Sequence, residues 1–177
     1  MTSTEEKLRY PIGKFQFIQP TEGLRTDCIK QFRIAPDALN DAVKGLAQEQ
    51  LLSRYRPGGL TLAQVIHHIV ESDINAYVRL KYALTEDIPE VKIAKQDLWS
   101  ELPDARSASI QSSLVLFEAI RIRWADAFES LNPEDFEKQW RHARYGPVSI
   151  DFLLQSYVWH PQHHTAQITN HRKSMGW

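Results

Sequence analysis

From Thr61 to Leu80 the chain places apolar residues at helical spacing more clearly than anywhere else. Leu62, Val65, Ile66, Ile69, Val70, Ile74, Tyr77 and Leu80 share one side of an amphipathic repeat. Thr61 stands where a helix cap is wanted, just behind the turn-forming Pro57-Gly58-Gly59. A helix with such a stripe must bury it against other elements of the same kind.

Three further stretches supply those elements. Between about Thr21 and Leu51, the spacing of Leu24, Cys28, Ile29, Phe32, Leu39, Ala42, Val43 and Leu46 predicts one helix, broken or kinked where Pro36 interrupts it. A third helix is predicted from about Ser109 to Leu131, with Ile110, Leu114, Phe117, Ile120, Ile122 and Trp124 as its apolar surface. Ser149 can cap a fourth, in which Ile150, Leu153, Leu154, Tyr157, His164 and Ile168 share a face. Four amphipathic helices make an all-α four-helix bundle the economical architecture.

The connections refine that expectation. Thr85 to Ser107 holds Pro89, Trp99 and Pro103 and is too long for a tight turn, so it reads as a long crossover between the second and third helices. Asn132-Pro133-Glu134-Asp135 closes the third helix, and Phe136 to Val148, around Tyr145-Gly146-Pro147, reads as a small hairpin or an irregular excursion. Residues 1–20 are expected to form an extended N-terminal arm, with Phe15-Gln16-Phe17-Ile18 laying apolar side chains on the body. Residues 1–177 are expected to fold as one domain, since no linker or repeat divides them.

Charge and cysteine content narrow the partners. With 21 basic and 22 acidic residues, scattered rather than striped, the chain has no electrostatic footprint for nucleic acid or an anionic membrane. No segment approaches the length of an apolar membrane span, and the first residues lack the apolar core of a secretion signal. The single cysteine, Cys28, has no partner for an intrachain disulfide, which suits a reducing, cytoplasmic setting.

Histidines are distributed unevenly. Five of the seven fall in two places, His67-His68 in the second helix and His160, His163 and His164 in the fourth. Residues four apart on a helix lie one above the other, so His160 and His164 can reach a single divalent cation. By periodicity His164 lies near the middle of the inner face, His160 at its flank, and His163 further outward. A lone histidine on an apolar face is more often a satisfied core residue, whereas a pair at this spacing is a metal-ligand pattern that still needs a third donor. His67 and His68 flank the stripe of the second helix on opposite sides, and periodicity does not choose between them. Glu71 and His163 are candidates for a general base. Asn75 and Arg79 recur at helical spacing from His68 and could line a cleft, and Trp99, Trp124 and Trp159 are candidates for its walls.

Several short matches carry a family resemblance. Tyr55-Arg56-Pro57-Gly58-Gly59-Leu60-Thr61-Leu62-Ala63-Gln64-Val65-Ile66-His67-His68-Ile69, Asn75-Ala76-Tyr77-Val78-Arg79-Leu80-Lys81, Asp97-Leu98-Trp99-Ser100-Glu101-Leu102, Arg123-Trp124, Tyr157-Val158-Trp159-His160 with His163-His164-Thr165-Ala166, and Met175-Gly176-Trp177 together resemble the YfiT branch of the DinB/YfiT superfamily. The resemblance implies that His68, rather than His67, joins His160 and His164 in holding one divalent cation, zinc or nickel, in a bundle that often forms a homodimer. Leu60 stands where the family pattern has Trp, and Pro161 where it tends to Gly. Because Pro161 removes the helical hydrogen bond to the Tyr157 carbonyl, a kink between His160 and His164 is expected.

Three imidazoles on such a cation leave a position for water or substrate. The resemblance therefore implies a metal-dependent hydrolase acting on a small molecule. It also allows transfer of a low-molecular-weight thiol such as bacillithiol to an electrophile, the thiol then being a cosubstrate. A non-catalytic metal-binding or interaction module is the reading from a different class.

Overall fold

The computed structural model describes residues 3–107 and 109–177. Its long helices are α2 (Glu22–Val43), α4 (Leu62–Thr85), α6 (Gln111–Glu129) and α7 (Ile150–Met175), with the short helices α1 (Ser3–Arg9), α3 (Gln48–Leu51) and α5 (Gln96–Trp99) between or before them. The all-α bundle expected from the four amphipathic stretches is present.

Local chemistry sets the helix starts. The Thr21 hydroxyl accepts from the Leu24 amide at 3.1 Å, and the Ser149 hydroxyl from the Phe152 amide at 3.2 Å. At α4 the cap is reciprocal, since the Gln64 side chain also accepts from the Thr61 amide at 2.9 Å. Helix α7 ends at Gly176, whose φ of +72° is readily adopted only without a Cβ.

Helix α2 packs on α6 and α7, and α4 packs on the same two, so α2 and α4 stand diagonally across the bundle. Side-chain pairs give the directions. His67 meets Ser113, Asp73 meets Arg121 and Tyr77 meets Trp124, which makes α4 and α6 parallel neighbours. His68 meets His164 while Ser72 meets Tyr157, which makes α4 and α7 antiparallel. Parallel neighbours cannot be joined by a short turn, so the long segment after Thr85 is a true crossover.

Two apolar clusters form the core, one around Phe32, Trp124, Phe128 and Leu154, the other around Leu39, Leu62, Ile66 and Phe117. The Arg121 guanidinium lies between them, over the rings of Phe32 and Phe117. Ile74 and Ile122, assigned above to apolar faces, are exposed.

Three local expectations change. The first predicted helix is continuous through Pro36 and breaks later, after Val43, with α3 as a separate turn. The N-terminal arm is not extended throughout, because Ser3–Arg9 is helical; its first two positions lie outside the described residues. The rest of the arm runs along α7, where the Ile18 amide and carbonyl both bond to the Gln155 side chain at 2.9 Å. Finally, the excursion before α7 resolves into a hairpin, β1 (Gln139–His142) paired antiparallel with β2 (Gly146–Ser149), following a 3-10 turn at Pro133–Glu137. Among the described residues no helix is long and apolar enough to cross a membrane.

Candidate metal centre

Helix α7 carries His160 and His164 one turn apart, and α4 brings His68 against both. Nε2 of His68 lies 3.1 Å from Nε2 of His160. The three ring centroids stand 4.6 to 5.1 Å apart, with interplanar angles of 71 to 82°. Rings set edge to face in this way do not stack, and one donor nitrogen from each lies within 4.8 Å of the others. Nitrogens on a tetrahedral cation with bonds of about 2.0–2.1 Å stand roughly 3.3 Å apart, so the arrangement is close to a ligand set as it stands.

Burial fixes the charge of these rings. It lowers the proton affinity of His68 to a pKa of about 4, with the neighbouring His163 adding to the effect. His160 and His164 fall well below the usual imidazole value, again chiefly through burial and then through the adjacent histidines. All three are neutral at pH 7, the form with a lone pair to give.

Gln167 sets the tautomer of His164. Its amide nitrogen donates to the Arg9 carbonyl at 2.9 Å, so its oxygen must face His164 Nδ1, 2.8 Å away. His164 Nδ1 therefore carries the proton and Nε2 is free to ligate. The same amide nitrogen lies 3.0 Å from His163 Nε2, and the His163 ring stacks on Trp159 at 4.5 Å. The outward position expected for His163 is thus a buried one, because the N-terminal arm, with Tyr10 near its ring, covers that face of α7.

Pro161 does not break α7, which runs uninterrupted from Ile150 to Met175. The Tyr157 carbonyl that loses its helical donor accepts instead from Arg121 Nη1 at 2.8 Å. Arg121 is held by a two-pronged ion pair to Asp73, with contacts of 2.8 and 2.5 Å between fully buried side chains.

His67 faces elsewhere. Its Nδ1 meets the Ser113 hydroxyl at 2.8 Å and its Nε2 the Ser107 carbonyl at 3.0 Å, so the ring ties the crossover to α6 with both nitrogens occupied. Of the two neighbours, it is His68 whose ring stands against His160 and His164.

The three imidazoles sit on the wall of a cleft of about 450 Å³, which Glu71, Asn75, Arg79, Trp99 and Trp159 also line. Burial, and then Asp104, raises the Glu71 carboxyl above the usual range. Trp124 is not part of this cleft; it is fully buried among Phe32, Phe128 and Tyr157. Cys28 packs in the core, its thiol pushed up by burial. Sequence reasoning missed Gln167, Asp73 and Arg121. The last two had a readable sign, a charge on an apolar seam: Asp73 between Ile69 and Leu80, Arg121 between Phe117 and Trp124.

Comparison with known proteins identifies the family and supports the fold. Residues 31–168 match the profile of the DinB superfamily. Proteins of Bacillus cereus and of Bacillus thuringiensis subsp. konkukian, each named "putative metal-dependent hydrolase", are 42% identical to this chain over 171 residues, spanning 96% of it and 98% of themselves. Among solved structures, YfiT from Bacillus subtilis, described as "a probable metal-dependent hydrolase with an unusual four-helix bundle topology", matches with a TM-score of 0.94 at 33% identity, over 97% of this chain and 99% of that one.

Proposed function

The chain belongs to the DinB superfamily, and from that premise we propose that it is a metal-dependent hydrolase whose single divalent cation is held by His68, His160 and His164. The observation that carries this reading is the convergence of three neutral imidazoles on the wall of a cleft large enough for a small molecule. An all-nitrogen donor set favours a borderline cation, zinc or nickel, over magnesium or calcium, which take oxygen ligands.

Three protein ligands would leave such a cation able to take water or substrate as well. When bound there, the cation supplies Lewis acidity to a carbonyl or to water. The remaining work falls to the chain. Gln167 holds the His164 ring in its ligating tautomer, and Arg121 satisfies the Tyr157 carbonyl, three residues before His160. Glu71 follows His68 by one helical turn, lines the same cleft and has a raised proton affinity, which suits it to accept a proton from an attacking water. Trp99 and Trp159 give the cleft apolar wall.

The test is turnover of p-nitrophenyl acetate by zinc- or nickel-loaded protein, with and without bacillithiol. Turnover without thiol that is lost on chelation and restored by metal is the expected result. Turnover that requires the thiol would replace hydrolysis with thiol transfer at the same centre.

A further inference from the structure

Arg25, Arg79 and Arg121 reach into the body of this protein, and two of them are neutralised. Arg25 pairs with Asp151 and Arg121 with Asp73. The third, Arg79 on α4, is 8% exposed, yet among the described residues no carboxylate lies within ion-pair distance of it. Its Nη1 donates to the Tyr157 hydroxyl at 3.5 Å, a long and weak contact. Its Nε has no hydrogen-bond partner, and its guanidinium carbon lies 5.5 Å from the centre of the Trp140 ring. A buried guanidinium is always charged and is retained in low dielectric only where an anion or a strong dipole compensates it.

Arg79 lines the cleft that holds the three histidines. It also walls a second cavity of about 440 Å³, which His142, Arg144, Tyr145 and Phe152 help to line. Arg56 and Arg79 line the first cleft together with Glu71 and Asp97. Neutral imidazoles add no negative charge to that balance, and a divalent cation on them would make the cleft positive.

We propose that Arg79 is the anion-binding residue of this cleft, and that the substrate carries a carboxylate or phosphate group that pairs with it while the scissile bond lies toward His68, His160 and His164. The inference rests on the reading of the cleft as a hydrolase site and adds the class of substrate, a small anionic molecule. The geometry fits a guanidinium set in position by Trp140 and Tyr157, with its charge left for a ligand.

Calorimetric titration of benzoate and of inorganic phosphate into the zinc-loaded and the chelator-treated protein tests this, for the wild type, Arg79→Gln and Arg79→Lys. The wild type is expected to bind at least one anion saturably, and whether benzoate or phosphate binds identifies the group. Arg79→Gln should weaken that binding roughly tenfold or more, as the loss of a charged hydrogen bond implies, with Arg79→Lys in between and zinc content unchanged. Saturable binding of neither anion overturns the proposal, as does equal affinity in the wild type and Arg79→Gln. A lower melting temperature with unchanged anion affinity overturns it too, since it marks a merely structural guanidinium. A protein that takes up no zinc defeats the hydrolase reading instead, and Arg79-dependent anion binding stays measurable in the metal-free protein.

Discussion

The Tyr157 carbonyl accepts a hydrogen bond from Arg121, 2.8 Å away, at the point in α7 where Pro161 denies it the usual helical donor. The proline stands between His160 and His164, so the turn that leads into this pair has one carbonyl satisfied from α6 in place of a helical amide. Asp73 on α4, the helix of His68, anchors the same guanidinium. One buried ion pair thus joins both helices that carry the histidines.

Arg121→Met should therefore cost about 3–5 kcal/mol of stability, because it leaves the Asp73 carboxylate buried without its partner. Pro161→Ala restores an amide for the Tyr157 carbonyl, so the double variant should lose less than the sum of the singles, with a coupling of about 0.5–3 kcal/mol. Urea denaturation of the four proteins measures it. Strict additivity would mean that Arg121 and Pro161 do not act on the same carbonyl.

Gln167 offers a separate handle on the metal. Gln167→Leu removes the acceptor of His164 Nδ1–H and should weaken metal binding about 10–100-fold. Gln167→Glu keeps an acceptor there while losing the donors to the Arg9 carbonyl and His163, and should retain metal. Competition with a chromophoric chelator ranks the two; equal affinities would deny the glutamine an orienting role.

Acid should destabilise the metal-free protein. An unfolded imidazole titrates near 6.5, whereas folding holds His68 and His163 at about 4. Between those values the unfolded chain binds protons that the folded one refuses, so the stability present above 6.5 is lost as the pH falls toward 4. Asp73, which burial raises to about 6, takes up a proton on folding and opposes part of this. His160 and His164 are lowered along with His68 and His163, so the melting temperature of chelator-treated protein should still fall across that window. A flat profile would contradict the burial of these rings.

Glu71→Gln separates chemistry from ligation. If the carboxyl takes the proton of the attacking water, the variant should lose about 10²–10⁴-fold in turnover while its metal content stays that of the wild type. Unchanged turnover would remove Glu71 from the reaction.

Much of the fold was legible because the four long helices bury single stripes, which periodicity detects. The α2 break was misplaced because a proline is an obvious interruption, yet Pro36 is accommodated within a long helix, while the actual break follows Val43, where Lys44 leaves helical geometry. The N-terminal helix and the burial of His163 were invisible for a different reason: both involve an arm distant in sequence that packs on α7. At the site, His160 and His164 announce themselves by spacing within one helix. His68 against His67 is a question about which neighbouring helix each ring faces, and the sequence held that answer only through family resemblance. Gln167, which bonds to the Arg9 carbonyl far away in sequence, left no local pattern at all.

The central claim is that imidazoles from two helices hold one cation, and the most direct measurement is metal content by elemental analysis of protein purified without added chelator. The wild type is expected to carry close to one zinc or nickel per chain. His68→Ala, His160→Ala and His164→Ala should each lose it while keeping a helical circular dichroism spectrum, and His67→Ala, whose ring is committed to Ser107 and Ser113, should keep it. Metal retained by His68→Ala but lost by His67→Ala, or no metal in the wild type even after incubation with zinc and nickel, would contradict the account.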